Sequence, residues 1–433
     1  MSQSQKPVKT NNNMLPDILN TSRETGISYT KTFNESLCEG YHFEIIDYIK
    51  RAGSRSIYYY KTEHSLLITH FYSSRVHILD LETGKLRWFD HHGTTVRSVC
   101  VCNQEIVTTS WDGSVHVTSF ESLEPRLILT EKDMGRCPDA AISPENESVF
   151  SYSYDSDKNP LLNSNTVREW DLTDGKLKRK LQLPGTHLSS RRCGYCTVFN
   201  NRLFVVSNSG HLHIYNSTTG ILLAEDFYND QLQSLCLLPA FNLLAVAGSE
   251  GNIYLCDLLG RRILQKRKVH LHDISQLLVH PDKPEIMISI SFDGTMKVWK
   301  LPELELLAWV DASSDRLWTV TNVNDLLICG GDEEETSIWD IKNLSCPVLK
   351  AKLVFSDESY AFLPGGSDSF YTNNQSIMQV RRNEDGTLVE GQLAEYLLNT
   401  ACDLRILKDL FSPENNDLSK FRLTNKGLLQ IPQ

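Results

Sequence analysis

A short segment of alternating apolar and polar residues recurs along this chain at a nearly constant interval, and that period limits the fold more than any other feature. It stands as Arg75-Val-His-Ile-Leu-Asp80, Ser114-Val-His-Val-Thr118, Thr166-Val-Arg-Glu-Trp-Asp171, His211-Leu-His-Ile-Tyr-Asn216, Asn252-Ile-Tyr-Leu-Cys-Asp257, Thr295-Met-Lys-Val-Trp-Lys300 and Thr336-Ser-Ile-Trp-Asp340. A weaker copy, Ser376-Ile-Met-Gln-Val380, follows. Alternation at period two makes each segment a strand with one buried face. An apolar strand precedes the copies, as in Leu66-Leu-Ile-Thr69, Glu105-Ile-Val-Thr108, Leu243-Leu-Ala-Val246 and Ile286-Met-Ile-Ser289. Turn signals follow several of them, such as Glu82-Thr-Gly84, Thr173-Asp-Gly175 and Thr218-Thr-Gly220.

Copies lie about 40–45 residues apart, the interval of four-stranded propeller blades. The expected fold is therefore all-β, a propeller of seven or eight four-stranded blades, with the copy at Ser376 tipping the count toward eight. Over roughly residues 56 to 381 the chain resembles the WD40-repeat β-propeller family. The segment that carries the likeness is Ser289-Ile-Ser-Phe-Asp293-Gly-Thr-Met-Lys-Val-Trp299, with His270 before it. The resemblance implies a hydrogen-bonded structural tetrad of His270, Ser289, Asp293 and Trp299, and a WD40-type propeller. A second repeat keeps His92, Thr108 and Asp112 but has Thr118 in place of Trp, so its network is expected to be incomplete. Elsewhere Leu79, Tyr215 and Cys256 stand at the Trp position, and Ser73, Ser209 and Glu250 at the turn Asp. Those blades are expected to rest on sheet packing.

The repeat containing Trp170 carries a polar insertion, Asp155 to Asn165, which no tight hairpin accommodates. Phe43 to Lys50 is expected to supply the N-terminal strand that closes the ring on the last blade. Residues 1–40 read as a flexible polar tail, 41–391 as the propeller and 392–433 as a C-terminal extension. In that extension Leu393, Leu397, Ala401, Leu404, Leu407 and Phe411 recur at three and four until Ser412-Pro413. This predicts a short amphipathic helical segment, docked on the ring or serving as a hook for a partner.

Composition narrows the partners. The 433 residues hold 43 Lys and Arg against 54 Asp and Glu, a net charge of −11. An acidic chain is poorly suited to coating nucleic acid or an anionic membrane, which reward a basic face. No apolar run approaches the roughly 18 residues of a membrane span. Direct nucleic-acid binding and membrane insertion are therefore not expected. Eleven cysteines, mostly scattered singly, read as reduced thiols, and Met1 to Asn13 lack the apolar core of a signal peptide. A cytoplasmic or nuclear location is expected.

Several constellations invite chemistry. His270, Ser289 and Asp293 could be read as base, nucleophile and orienting acid, but the resemblance places this Ser inside a blade, whereas catalysis needs an exposed nucleophile. Cys193-Gly-Tyr-Cys196 and Cys100-Val-Cys102 lack a second well-spaced metal-ligand pair and fall in expected inner strands, where Cys acts as a small hydrophobe. No metal or cofactor is expected. Arg191-Arg192-Cys193-Gly194 lacks the Phe of the phosphoinositide motif Phe-Arg-Arg-Gly and displaces its Gly. The most basic run, Gln265-Lys-Arg-Lys268 with His270 and His272, is short.

The residues just before the turn Asp are Tyr72, Trp111 and Phe292. The resemblance implies that this position lies on the top rim of a blade, and aromatic side chains are preferred anchors of interfaces. These three form the expected partner-binding surface. The leading functional expectation is a non-enzymatic protein-interaction scaffold or adaptor, working as a subunit of a multiprotein complex. A second is a substrate receptor of a cullin-RING ubiquitin ligase, because Trp339-Asp340-Ile341-Lys342 resembles the WD-x-Arg/Lys ending of such receptors, with Lys for the more usual Arg. A propeller enzyme and a phosphoinositide-binding propeller are the remaining alternatives.

Overall fold

The computed structural model describes residues 41–46, 53–155, 164–187, 195–259, 262–365 and 369–412. The expected N-terminal tail, most of the insertion after Asp155, Cys193 and the doublet Arg191-Arg192 lie outside the described residues.

Eight antiparallel sheets are present among the described residues: six of four strands, one of six and one of three. Seven supply blades, in chain order blade 1 (54–89), blade 2 (96–130), blade 3 (139–187), blade 4 (195–227), blade 5 (232–268), blade 6 (274–311) and blade 7 (317–355). The innermost strand of each blade comes first in sequence and packs against that of the next blade. Leu317–Val323 of blade 7 then packs against Ser54–Tyr60 of blade 1, and the ring closes there. Polar contacts join the same seam: Ile57 N donates to Thr319 Oγ1 at 3.0 Å, and the Ser54 and Thr336 hydroxyls meet at 2.7 Å.

The repeat at Ser376 does form the eighth sheet, but outside this ring. Met378–Arg382 pairs with Tyr41–Ile45 on one side and Leu388–Val389 on the other. The N-terminal strand thus pairs with the last repeat, as expected, but does not close the ring. The physical reason lies in Tyr360–Pro364, which adds to the outer edge of blade 7 by pairing with Val348–Phe355. Tyr360 and Phe362 are committed to the apolar seam of blades 7 and 1, so no inner strand remains among the described residues for an eighth blade at the axis.

Each blade buries both faces, because alternate side chains of a strand point to opposite sides. Leu66, Ile68 and Leu79 of blade 1 pack on Val323, Leu326 and Ile328 of blade 7. Their neighbours Leu67, Val76 and Ile78 pack on Val99, Val101 and Ile106 of blade 2. Burying one such aliphatic side chain is worth about 1.5–3 kcal/mol, so sheet-on-sheet packing carries the blades that lack a full tetrad.

The C-terminal segment forms two helices where one run was expected: α1, Gln392–Ala401, and α2, Leu404–Phe411. Cys402 and Asp403 are extended, and Asp403 caps α2 by accepting the Arg405 N–H at 2.9 Å. Side-chain caps of this kind satisfy an orphan donor of the first turn. Leu397 and Ala401 cover the eighth sheet, while Leu407, Leu410 and Phe411 enter the seam between blades 1 and 7. The docking is close at Gly84, where a Cβ would come within 2.6 Å of both Leu404 and Tyr371. No helix among the described residues is long and apolar enough to cross a membrane.

Candidate functional site

The residues of blade 6 singled out for a tetrad are brought together. Trp299 Nε1 donates to Ser289 Oγ at 2.9 Å, Ser289 Oγ meets His270 Nε2 at 2.7 Å, and His270 Nδ1 meets Asp293 Oδ2 at 3.2 Å. Asp293 also accepts the Leu271 N–H at 2.9 Å, tying the loop before the blade to the turn inside it. Burial acts to raise the Asp293 carboxyl, but the hydrogen bonds from His270, Thr295 and Leu271 outweigh it and hold the group far below the usual carboxylate range. Burial likewise holds His270 below the ordinary imidazole value. Ser289 is fully buried, and its hydroxyl is engaged by both the indole and the imidazole.

Blade 2 departs from this at one corner. His92 lies 3.0 Å from Asp112 Oδ2 and 2.8 Å from Thr108 Oγ1. At the Trp position Thr118 is fully buried, and its Oγ1 has no hydrogen-bond partner among the described residues. Blade 5 uses a carboxylate where blade 6 has its imidazole. Asp230, in the loop before the inner strand, accepts from Asn252 Nδ2 at 2.9 Å, Tyr254 OH at 3.1 Å and the Glu250 N–H at 3.1 Å. Gly248 makes room for it, since a Cβ there would lie 2.1 Å from Asp230 Oδ2. A search for His, Ser and Trp at fixed offsets could not find this substitute.

The channel mouth is built by backbone irregularity. In five of the seven inner strands the pairing register slips around the second residue: between Ser54 and Ser56, Val96 and Ser98, Leu232 and Ser234, Ile274 and Gln276, and Leu317 and Thr319. A bulge removes one residue from the ladder and re-aims its side chain. The residues released are Arg55, Arg97, Gln233, Ser275 and Trp318, and all five line the central channel, a cavity of about 480 Å³. Arg97, Gln233 and Trp318 also floor a wider recess of about 830 Å³ at one mouth. A sequence signal for the bulges exists. Apolar residues at Val96/Val99, Leu232/Leu235, Ile274/Leu277 and Leu317/Val320 are three apart where regular alternation would place them two apart.

Tyr72, Trp111 and Phe292, from three different blades, all line this recess. Tyr72 is 88% exposed with φ +56°, a left-handed conformation that costs a side-chain-bearing residue roughly 1–2 kcal/mol. The guanidinium groups of Arg97 and Arg136 lie 4.9 and 4.6 Å from the Trp111 ring. Phe292 packs on Trp318 with centroids 4.3 Å apart. Trp318 in turn faces Arg55 at 4.0 Å and donates its Nε1–H to Asp332 Oδ1 at 2.7 Å. Each such cation–π contact is worth about 0.5–2 kcal/mol, enough to orient the rings before anything binds.

The turn Asp332–Glu334 of blade 7 has the same length as Phe292–Gly294 of blade 6, so Glu333 stands where blade 6 has Asp293 and Asp332 stands where it has Phe292, from which it reaches Trp318. Glu333 takes over the loop-tying role by accepting the Ser314 N–H at 2.7 Å, as Asp293 does from Leu271 in blade 6. The recess therefore combines aromatic faces and guanidinium groups with carboxylates, among them Asp273, which accepts from Gln233 Nε2 at 3.2 Å. Such a surface can bury an apolar or cationic side chain and bond the backbone beside it.

Other singled-out residues lie elsewhere. Lys342 is exposed at the opposite end of blade 7's third strand from Asp332, and its N–H donates to Asp340 Oδ1 at 2.8 Å. Cys100 and Cys196 line the channel, where burial pushes the Cys100 thiol up to about 12 and the Cys196 thiol well above its ordinary value. Asp139 accepts the Cys196 N–H at 3.0 Å, and burial raises its carboxyl to about 7. His272 lines the recess, while Gln265 to Lys268 lie on the outer strand of blade 5.

No family model matches the chain. Among solved structures, it is similar to the crystal structure of the computationally designed Ika8 protein, with a TM-score of 0.55 at 17% sequence identity. The match covers 73% of this chain and 94% of that one. The likeness is one of fold.

Proposed function

We propose that the protein is a non-enzymatic interaction scaffold of the WD40 type that grips a segment of a partner protein in the recess at its channel mouth. The observation that carries this reading is the convergence of Tyr72, Trp111 and Phe292 on one cavity, although 220 positions separate the first from the last (292 − 72). An exposed Tyr in left-handed backbone beside pre-oriented Trp and Phe rings is the composition of a binding hot spot. The His-Ser-Asp-Trp network of blade 6 supports membership of the WD40 type. The nine described cysteines are all free thiols, which suits a reducing compartment such as cytosol or nucleus.

The test is affinity purification with mass spectrometry, comparing wild type with a variant carrying Tyr72→Ser, Trp111→Ser and Phe292→Ser. Expected is loss of specific partners with the unfolding transition retained. Partners captured unchanged by a folded triple variant would defeat the proposal.

A further inference from the structure

Blade 4 holds a cluster that takes no part in the recess. On the strand His211–Asn216, His211 and His213 are two residues apart and so share one face. Directly opposite His213 on the neighbouring strand Leu222–Phe227 stands Glu225. Cross-strand partners are the closest side-chain neighbours a sheet offers. His211 Nδ1 lies 3.2 Å and His213 Nε2 3.5 Å from Glu225 Oε1. All three ligand atoms lie within 4.8 Å of one another, the one such His/Cys/Asp/Glu group among the described residues.

The two distances to Glu225 match a coordination shell. With zinc bonds of about 2.0–2.2 Å to imidazole nitrogen and carboxylate oxygen, two ligands of a tetrahedron stand roughly 3.3–3.5 Å apart. The rings are held by packing, His211 against Phe227 with centroids 5.1 Å apart and His213 alongside Tyr215 at 6.2 Å. The His213 side chain is fully buried, that of His211 16% exposed and that of Glu225 36% exposed. The cluster thus has a closed inner side and a side open to solvent. Two nitrogen donors and one oxygen favour zinc-like ions over magnesium or calcium, which take oxygen shells.

We propose that His211, His213 and Glu225 bind one divalent transition-metal ion of the zinc type, with water in the fourth position on the solvent side. The ion would pin the outer strand of blade 4 to its neighbour. This inference is independent of the binding recess and survives its failure.

The test uses the full chain stripped with a chelator and titrated with Zn²⁺, with Mg²⁺ as control, following heat release and the melting transition. Expected is one Zn²⁺ per chain, a rise in melting temperature with zinc and not with magnesium, and affinity at least tenfold weaker in Glu225→Gln and in His211→Ala. Glu225→Gln keeps side-chain size at a partly exposed position, so it stays informative if His211→Ala folds poorly. Co²⁺ substitution supplies a second readout, the visible bands of a tetrahedral site without thiolate charge transfer. Absence of stoichiometric zinc uptake by wild type, uptake unchanged in Glu225→Gln, or a thiolate signature placing the metal on cysteines would each overturn the proposal.

Discussion

Removing the indole of Trp299 tests whether the network in blade 6 is architectural. The ring is 2% exposed and packs among Ile274, Leu277, Met287 and Leu301, and its N–H donates to Ser289. Trp299→Ala removes the whole buried ring, which should cost about 3–5 kcal/mol. Trp299→Phe keeps most of the apolar contact and loses one neutral hydrogen bond. Because Ser289 still meets His270, the bond accounts for only about 1 kcal/mol, and the smaller ring adds roughly as much again through imperfect filling. The Phe variant should therefore lose about 2 kcal/mol, roughly half of what the Ala variant loses. Urea unfolding followed by far-ultraviolet circular dichroism separates the two, with the slope unchanged if the unfolded surface is the same. A loss below about 1 kcal/mol in Trp299→Ala, on the scale of an ordinary surface change, would refute the architectural role. Equal losses in both variants would refute the division between burial and hydrogen bond.

Three further outcomes follow from single groups. Thr118→Val in blade 2 replaces a buried hydroxyl without a partner among the described residues by a methyl of similar size and should raise stability by about 1 kcal/mol in the same urea assay. Gly248→Ala drives a methyl into the Asp230 carboxylate and should cost about 1–3 kcal/mol as overpacking; a neutral result would mean that the Asp230 network gives way easily. Asp139, raised by burial to about 7 from an ordinary 3.8, holds a proton in the folded state that the unfolded state has lost between those values. Stability from this group therefore falls as pH rises from 4 to 7, by about 4 kcal/mol in all. Asp139→Asn should melt higher than wild type at pH 8, and the advantage should disappear near pH 4; a gain independent of pH would contradict the assignment.

Much of the architecture could be read from the chain because the relevant contacts are local. Alternation places strands wherever one face is buried, and Ser289, Asp293 and Trp299 belong to one hairpin, so their spacing survives as a pattern. Val96/Val99 and Leu317/Val320 show that even the bulges leave a trace, though only the tertiary arrangement reveals what they aim at the axis. Asp230 left no trace, since a carboxylate replacing an imidazole has no fixed offset to search for. His211 and His213 were legible as strand residues. Their meeting with Glu225 depends on the register of the next strand.

The chain alone therefore determined the repeat and the strand class, and its resemblance to a known family pointed to the tetrad of its best blade, because these depend on neighbours within a few tens of residues. Tertiary structure decided that seven blades close the ring and the eighth sheet stands outside it. It also broke the expected helix into two and gathered Tyr72, Trp111, Phe292 and Trp318 around one mouth. The reason is that closure is set by the fit between whole sheets, here Leu317–Val323 against Ser54–Tyr60, and contact between segments so distant in sequence imposes no period on the residues that make it.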